Sequence, residues 1–329
     1  MPKIYRPRKL PVARRPLSQK TWAILNAVDE TLMSDASKTM DLKTLRAPLN
    51  KIPRAERGVD YAERVIKIYC KLRIKAARCS ALKSQIHLVR LANGEPEKFD
   101  AFFAQVSEIL HPLTLNQHGF NRALACLDRT ALAAELKEFS ALITDWGYDH
   151  FINSGTLLGA VREGDFIGHD DDVDFGVFIN GTSATERIDA VMLLREKLIQ
   201  AYPGCFTRIS YQGPMVSITL PSGMCVDLFA SWIEDDKVYV WPHTYGELSR
   251  ADVYPMSQHK LSGVDFPAPR DSDKMLNINY GGDWRIPDPN FAFSWRAAAE
   301  KFGIEITTYR KKVRKLVPRP RTPFWKKLS

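Results

Sequence analysis

Apolar residues recur at helical spacing along several stretches of this 329-residue chain. Tyr61, Val65, Ile68 and Leu72 fall on one face, and Leu82, Ile86 and Val89 continue the stripe. Val59 to about Leu91 therefore reads as one long amphipathic helix with a basic opposite face, able to dock on its own chain, a partner or a membrane surface. Asn93-Gly94-Glu95-Pro96 breaks the pattern, and a second helix is predicted over Pro96–Leu110, ended by His111-Pro112. Leu132, Leu136, Phe139 and Ile143 mark a third, closed by Gly147. A short strand follows at Asp149–Asn153, then a short helix at Leu157–Glu163 closed by Gly164, then a β-branched and aromatic strand at Val173–Ile179. Thr185 is a candidate cap for a helix whose stripe is Ile188, Val191, Leu194 and Leu198, stopped by Pro203-Gly204. Short strands are predicted at Phe206–Tyr211, Met215–Leu220, Met224–Phe229 and Lys237–Val240, with turn residues between some of them.

Helix, strand, helix, strand and then a meander predict an α/β (α+β) domain with a small mixed sheet flanked by helices. It is placed at residues 116–300, after a helical region at 59–115. Residues 1–58 hold several prolines and only one helix-like run, near Thr21–Leu32, so they are expected to form a basic, partly irregular extension. Residues 301–329 read as a basic tail. There is no internal repeat.

Charge sharpens this division. Residues 1–20 carry seven basic side chains and residues 306–329 carry nine, with no acid in either stretch. The total of +9 therefore leaves −7 for residues 21–305. Basic ends suit an anionic membrane, a polyanionic glycan or simply solvent, and Phe324-Trp325-Lys326-Lys327 adds aromatic contact. No basic motif interleaved with aromatic residues argues for nucleic acid. The five cysteines form no C-x-x-C pair, so a zinc site is not expected and they read as reduced, buried small residues of a cytosolic protein. No stretch approaches the roughly 18 apolar residues of a spanning helix, and the N-terminus lacks a signal-peptide core.

The informative segment is Ser154–Val177, SGTLLGAVREGDFIGHDDDVDFGV. Asp170, Asp171, Asp172 and Asp174 crowd the entry to an apolar strand. Like charges at this density repel, and a cation relieves them. On a strand Asp172 and Asp174 point to one side, which gives hard oxygen ligands suited to Mg²⁺ with room left for substrate phosphates. The run lacks the glycine and closing glutamate of an EF-hand loop. Asp227 is the lone charge of a second apolar strand, and it completes a triad if the two strands are neighbours; there it would bridge metals or accept the attacking hydroxyl's proton. Upstream, Gly155 permits a tight turn, Ser154 and Thr156 supply hydroxyls, and the following helix offers N–H groups to a phosphate. Arg162 lies on the same helix within reach of a phosphate. Ordinary caps and a surface ion pair are the plain alternatives for these residues.

Ser-Gly-Thr, a short helix, Asp-x-Asp on a strand and a later lone Asp resemble the nucleotidyltransferase superfamily that includes DNA polymerase β. Within it, SGTLLGAVR from Ser154 to Arg162 with DDDVD from Asp170 to Asp174 resembles the LicD/fukutin-type family. The likeness runs through Val226-Asp227-Leu228 to Tyr280-Gly281-Gly282-Asp283-Trp284 and Pro287, and Gly168-His169 stands where that family often has Pro-Trp. The resemblance implies Mg²⁺, with Mn²⁺ as substitute, held by Asp170, Asp172, Asp174 and Asp227. It implies catalytic roles for Asp172, Asp174 and Asp227, and donor binding by Ser154, Gly155, Thr156 and Arg162. The implied reaction moves phosphocholine or a polyol phosphate from a CDP-linked donor to a glycan hydroxyl in surface polysaccharide assembly. A cytoplasmic enzyme is expected, with peripheral contact at the inner face of the membrane open to its basic ends. An enzyme using an NTP on a small molecule or RNA, and a non-catalytic binding protein, remain as alternatives. His243, His259 and Lys260 are secondary candidates for substrate contact, and Tyr280 and Trp284 for stacking on the base.

Overall fold

The computed structural model describes residues 10, 13, 15–116, 119–122, 124–168, 170–286 and 293–317. Pro287, His169 and the segment from residue 318 onward, which holds the Phe-Trp-Lys-Lys run, lie outside the described residues. By its contacts the chain divides into two compact units, Met1–Cys126 and Leu127–Ser329.

The first unit is helical. Ser18 caps α1 (Gln19–Met33) by accepting from the Thr21 N–H, and Asp41 caps α2 (Leu42–Asn50) by accepting from that of Thr44. The expected long helix is two, α3 (Val59–Lys71) and α4 (Ala76–Ala92). Arg73 and Lys75 both take left-handed φ (51° and 56°), which turns the chain although no glycine or proline marks the place. α5 (Pro96–Leu110) opens on a proline in its first turn, and a hairpin of β1 (Leu113–Asn116) and β2 (Gly119–Arg122) follows.

Leu25 and Leu49, from the supposedly irregular stretch, share one core with Ile66, Tyr69, Phe99 and Val106, so residues 15–58 are not a separate extension. The basic face is not simply solvated either. Arg90 is buried, and its guanidinium reaches Asp60 (2.7 Å), Glu63 (2.8 Å) and Glu95 (2.7 Å).

The second unit is built on a mixed sheet ordered β3-β4-β7-β6-β5. Its strands are β3 (His150–Ile152), β4 (Asp172–Phe178), β5 (Thr207–Ile209), β6 (Met215–Thr219) and β7 (Cys225–Glu234). β4 and β7 run parallel; the other pairs in this series are antiparallel. β8 (Lys237–Val240) continues from β7 and pairs with β9 (Thr244–Ser249).

The helices are α6 (Arg129–Asp145), α7 (Ser154–Arg162), α8 (Ala184–Ala201), the short α9 (Arg250–Val253), α10 (Ser272–Tyr280) and α11 (Trp295–Leu316). β10 (Ser257–Leu261) and β11 (Val264–Ala268) form a separate hairpin. Ser183, not Thr185, caps α8 through a reciprocal capping box with Glu186. The predicted stripe of α8 is buried in full.

The stretch read as a tail from residue 301 belongs largely to α11. Phe302 and Ile306 are buried with Met215, Phe229, Trp232 and Trp241, and Glu305 pairs with Arg187 of α8 at 2.7 Å. All five cysteines are free, two of them buried and three half-buried.

Candidate active site

The parallel pairing of β4 with β7 sets Asp174 directly beside Asp227, with Asp172 beside Cys225. Alternation does the rest: Asp172, Asp174 and Asp227 each bring a carboxylate oxygen within 4.8 Å of the others. Asp170, Asp171 and Asp172 form a second such group, so Asp172 belongs to both. The geometry gathers all four carboxylates named as metal ligands and adds Asp171.

Two of these acids are held above their ordinary range. Burial is the largest cause for Asp170, followed by the charges of Asp172 and Asp171. For Asp174 it is burial again, then Asp172, Asp170 and Asp227, opposed by a hydrogen bond from the Gly155 N–H. A divalent cation is the natural counterion for such a set, and oxygen-only donors suit Mg²⁺ or Mn²⁺ rather than a soft metal.

The Ser-Gly-Thr turn aims Asp174. The Gly155 N–H donates to Asp174 Oδ2 at 3.1 Å, and the Asp174 N–H donates to Thr156 Oγ1 at 2.8 Å. The left-handed residue of the turn is Ser154 (φ 44°), not Gly155. Glycine at 155 leaves room for a carboxylate instead. A Cβ there would stand 2.6 Å from Asp170 Oδ2. Thr156 thus ties α7 to β4, and Arg162 pairs with Glu163 at 2.5 Å. Ser154 Oγ is buried and has no partner among the described residues. Of the four expected donor-binding residues, two are engaged with Asp174 and one with Glu163.

α10 adds groups that sequence reasoning underrated. Its last residue, Tyr280, lies close enough to Asp174, Asp170 and Asp172 that, after burial, their charges push its hydroxyl further up. Gly281 (φ 88°) ends the helix just there. The neighbouring Asn279 Nδ2 donates to Asn153 Oδ1 at 3.4 Å, and Asn153 immediately precedes the turn. Neither asparagine was singled out, although Asn153 adjoins the motif. Ser217 was missed too. It lies across from Asp227 on β6 and is buried, and its polar side chain in the middle of a largely apolar strand was the available signal.

The secondary candidates separate. His243 packs against Phe293 (ring centroids 4.4 Å apart) and Tyr280 (6.2 Å). Burial, aided by Lys301, lowers it to about 3, so it is neutral near pH 7. His259 meets Ser272 at 3.1 Å and Lys260 pairs with Asp265, while Trp284 is buried under Arg285.

Beside this geometry, comparison with known proteins finds a family match for one stretch. Residues 147–271 match the family described as LicD/FKTN/FKRP, nucleotidyltransferase domain. This segment is similar to LicD-type nucleotidyltransferase domains. The match begins ahead of β3 and takes in the turn, both aspartate strands and the β10–β11 hairpin. Two uncharacterised rickettsial proteins are similar. That of Rickettsia typhi is 28% identical over 149 residues, 44% of this chain and 44% of its own length. That of Rickettsia prowazekii is 25% identical over 153 residues, 44% of this chain and 52% of its own. The chain thus spans about half the length of the curated relatives it matches. Among solved structures, the antibiotic-resistance factor ANT(2'')-Ia is similar at 14% identity and a TM-score of 0.30, over 57% of this chain and 94% of that one. No helix among the described residues is long and apolar enough to cross a membrane.

Proposed function

We propose that this protein is a Mg²⁺-dependent transferase that moves phosphocholine or a polyol phosphate, such as ribitol or glycerol phosphate, from a CDP-linked donor to a glycan hydroxyl. The observation that carries the reading is the convergence of Asp172, Asp174 and Asp227 on one point inside a LicD-type domain. Asp172, Asp174 and Asp227 would hold the cation, with Asp170 in support; Mn²⁺ would serve in its place. When bound, the cation supplies positive charge against the donor's diphosphate and neutralises the carboxylates.

The chain's own residues do the remainder. Gly155 through its N–H, and Thr156 through its side-chain hydroxyl, hold Asp174 in place. The acceptor hydroxyl attacks the distal phosphorus and its proton passes to Asp227. The bond from that phosphorus to the bridging oxygen breaks, and CMP leaves with the bridging oxygen. Tyr280, kept protonated by its burial and then by its carboxylate neighbours, stands beside the same acids as a hydrogen-bond donor. The setting proposed is surface-glycan assembly in the cytoplasm, with the basic ends in contact with an anionic membrane or polyanionic product.

The test is CMP release with Mg²⁺ from CDP-choline, CDP-ribitol and CDP-glycerol, with CTP and ATP alongside, comparing wild type with Asp172→Ala. One CDP-linked donor should be turned over by wild type and spared by the variant. Turnover of CTP or ATP alone would move the protein to NTP chemistry.

A further inference from the structure

The first unit holds a cationic cluster that no part of the transfer reaction uses. Tyr69 on α3 is fully buried at 0% exposure. Three basic side chains surround its ring. Lys75 Nζ is 4.7 Å from the ring centroid, Arg78 Cζ 5.8 Å and Arg46 Cζ 6.0 Å. They come from separate places: Arg46 from α2, Lys75 from the left-handed turn between α3 and α4, and Arg78 from the first turn of α4. Arg46 and Arg78 are half-buried and Lys75 is exposed. No carboxylate pairs with any of the three among the described residues, whereas Arg64, Lys67 and Arg90 of the same unit are each matched by acids.

Two further facts show that the cluster's hydrogen-bonding capacity is not used up. Arg46 Nη1 and Lys75 Nζ both donate to the Tyr69 hydroxyl, at 3.4 and 3.5 Å, so the phenol's own proton has no acceptor among the described residues. Arg46 Nε is buried and has no partner either. Buried donors of this kind are normally satisfied. A partner that accepts several hydrogen bonds and carries negative charge would meet these donors together. The start of α4 adds its positive end at the same point, since Lys75 is its N-cap residue and makes no side-chain cap bond.

We propose that Arg46, Tyr69, Lys75 and Arg78 form a binding site for a phosphate-bearing anion. Carboxylates alone offer fewer acceptor oxygens; a phosphate has enough to meet the phenol, the guanidinium of Arg46 and the two remaining cations together. The site is independent of the proposed transfer reaction.

The full chain, kept in EDTA so that the aspartate site holds no cation, is titrated calorimetrically with inorganic phosphate at constant ionic strength. Wild type should bind at a single site. The double variant Arg46→Gln/Arg78→Gln should bind about tenfold to a hundredfold more weakly, and Tyr69→Phe more weakly than wild type, because charge-assisted hydrogen bonds are lost. Should these variants fold poorly, a wild-type measurement replaces them: phosphate must shield Lys75 from acetylation, read by mass spectrometry. Sedimentation with phosphatidylcholine vesicles, with and without phosphatidic acid, separates the sources. Vesicle binding lost in the double variant assigns a lipid headgroup, and vesicle binding unchanged while phosphate binding is lost assigns a soluble anion. No phosphate binding by wild type, equal affinity in wild type and double variant, or unshielded Lys75 would each overturn the proposal.

Discussion

The bond between α7 and β4 gives the sharpest prediction. Thr156 and Asp174 are both buried, and the 2.8 Å contact from the Asp174 N–H to Thr156 Oγ1 leaves that N–H no route to water. Thr156→Val keeps the shape of the side chain and removes the acceptor. A buried donor left unsatisfied costs about 1–3 kcal/mol. At roughly 2–4 °C of midpoint per kcal/mol for a unit of this size, the thermal transition of the second unit should fall by about 2–12 °C. Thr156→Ser keeps the oxygen and loses one methyl group, for about 1 kcal/mol. The same bond fixes the backbone under Asp174, so Thr156→Val should also weaken Mg²⁺ binding about tenfold, the usual scale for losing a group that supports a ligand. Thermal denaturation with and without Mg²⁺, together with calorimetric metal titration, measures both effects. A Val variant as stable as the Ser variant, with wild-type metal affinity, would refute the claim that the turn positions the carboxylate.

The other predictions concern packing and charge. Gly155→Ala places a methyl group 2.6 Å from Asp170 Oδ2. The carboxylate can swing aside, so stability should drop by only about 1 kcal/mol, while Mg²⁺ affinity falls about tenfold; unchanged affinity by titration would remove Asp170 from the site. Asp170 and Asp174 are held above the ordinary carboxylate range, so the folded state binds more protons than the unfolded one. In EDTA, stability should therefore decline as pH rises from about 4 through their raised folded values, Asp174→Asn should flatten that decline, and a denaturation series over pH with and without Mg²⁺ checks it. Removing one buried charge strands its partners, so Arg90→Ala should cost the first unit about 3–5 kcal/mol in urea denaturation.

Much of the second unit was readable in the chain. The stripes at Leu132–Ile143 and Ile188–Leu198 are core faces because each helix has one dry side. The aspartates of Asp-x-Asp share a side because a strand has period two. That Asp227 belongs with them was conditional on β4 and β7 being neighbours, a fact of topology that no local pattern contains. The roles inside the turn were less legible. Thr156 and the Gly155 N–H are aimed at Asp174 rather than left open, which depends on a distance of about one hydrogen bond between segments eighteen residues apart.

In the first unit, Arg73 and Lys75 divide what periodicity showed as one helix, because a left-handed turn built from ordinary residues leaves no compositional mark. The basic residues there misled in another way. Lys67 and Arg90 look solvated in sequence, yet acids from other helices bury them as pairs. The apparent C-terminal tail looked free for a similar reason. α11 carries its cations outward, and its Phe302, Ile306, Tyr309 and Val313 are too widely spaced to dominate the local composition.

The central claim is that the acceptor attacks the distal phosphorus of a CDP-linked donor at the Asp172, Asp174 and Asp227 site. Water can stand in for the acceptor, so hydrolysis of the preferred donor in water enriched in the heavy oxygen isotope tests it directly. The account predicts that mass spectrometry finds the label in the released alcohol phosphate, with CMP unlabelled and no turnover by Asp172→Ala. Label in CMP would place the attack on the nucleotide's own phosphorus, and the protein would then be a nucleotidyl transferase rather than a transferase of the alcohol phosphate.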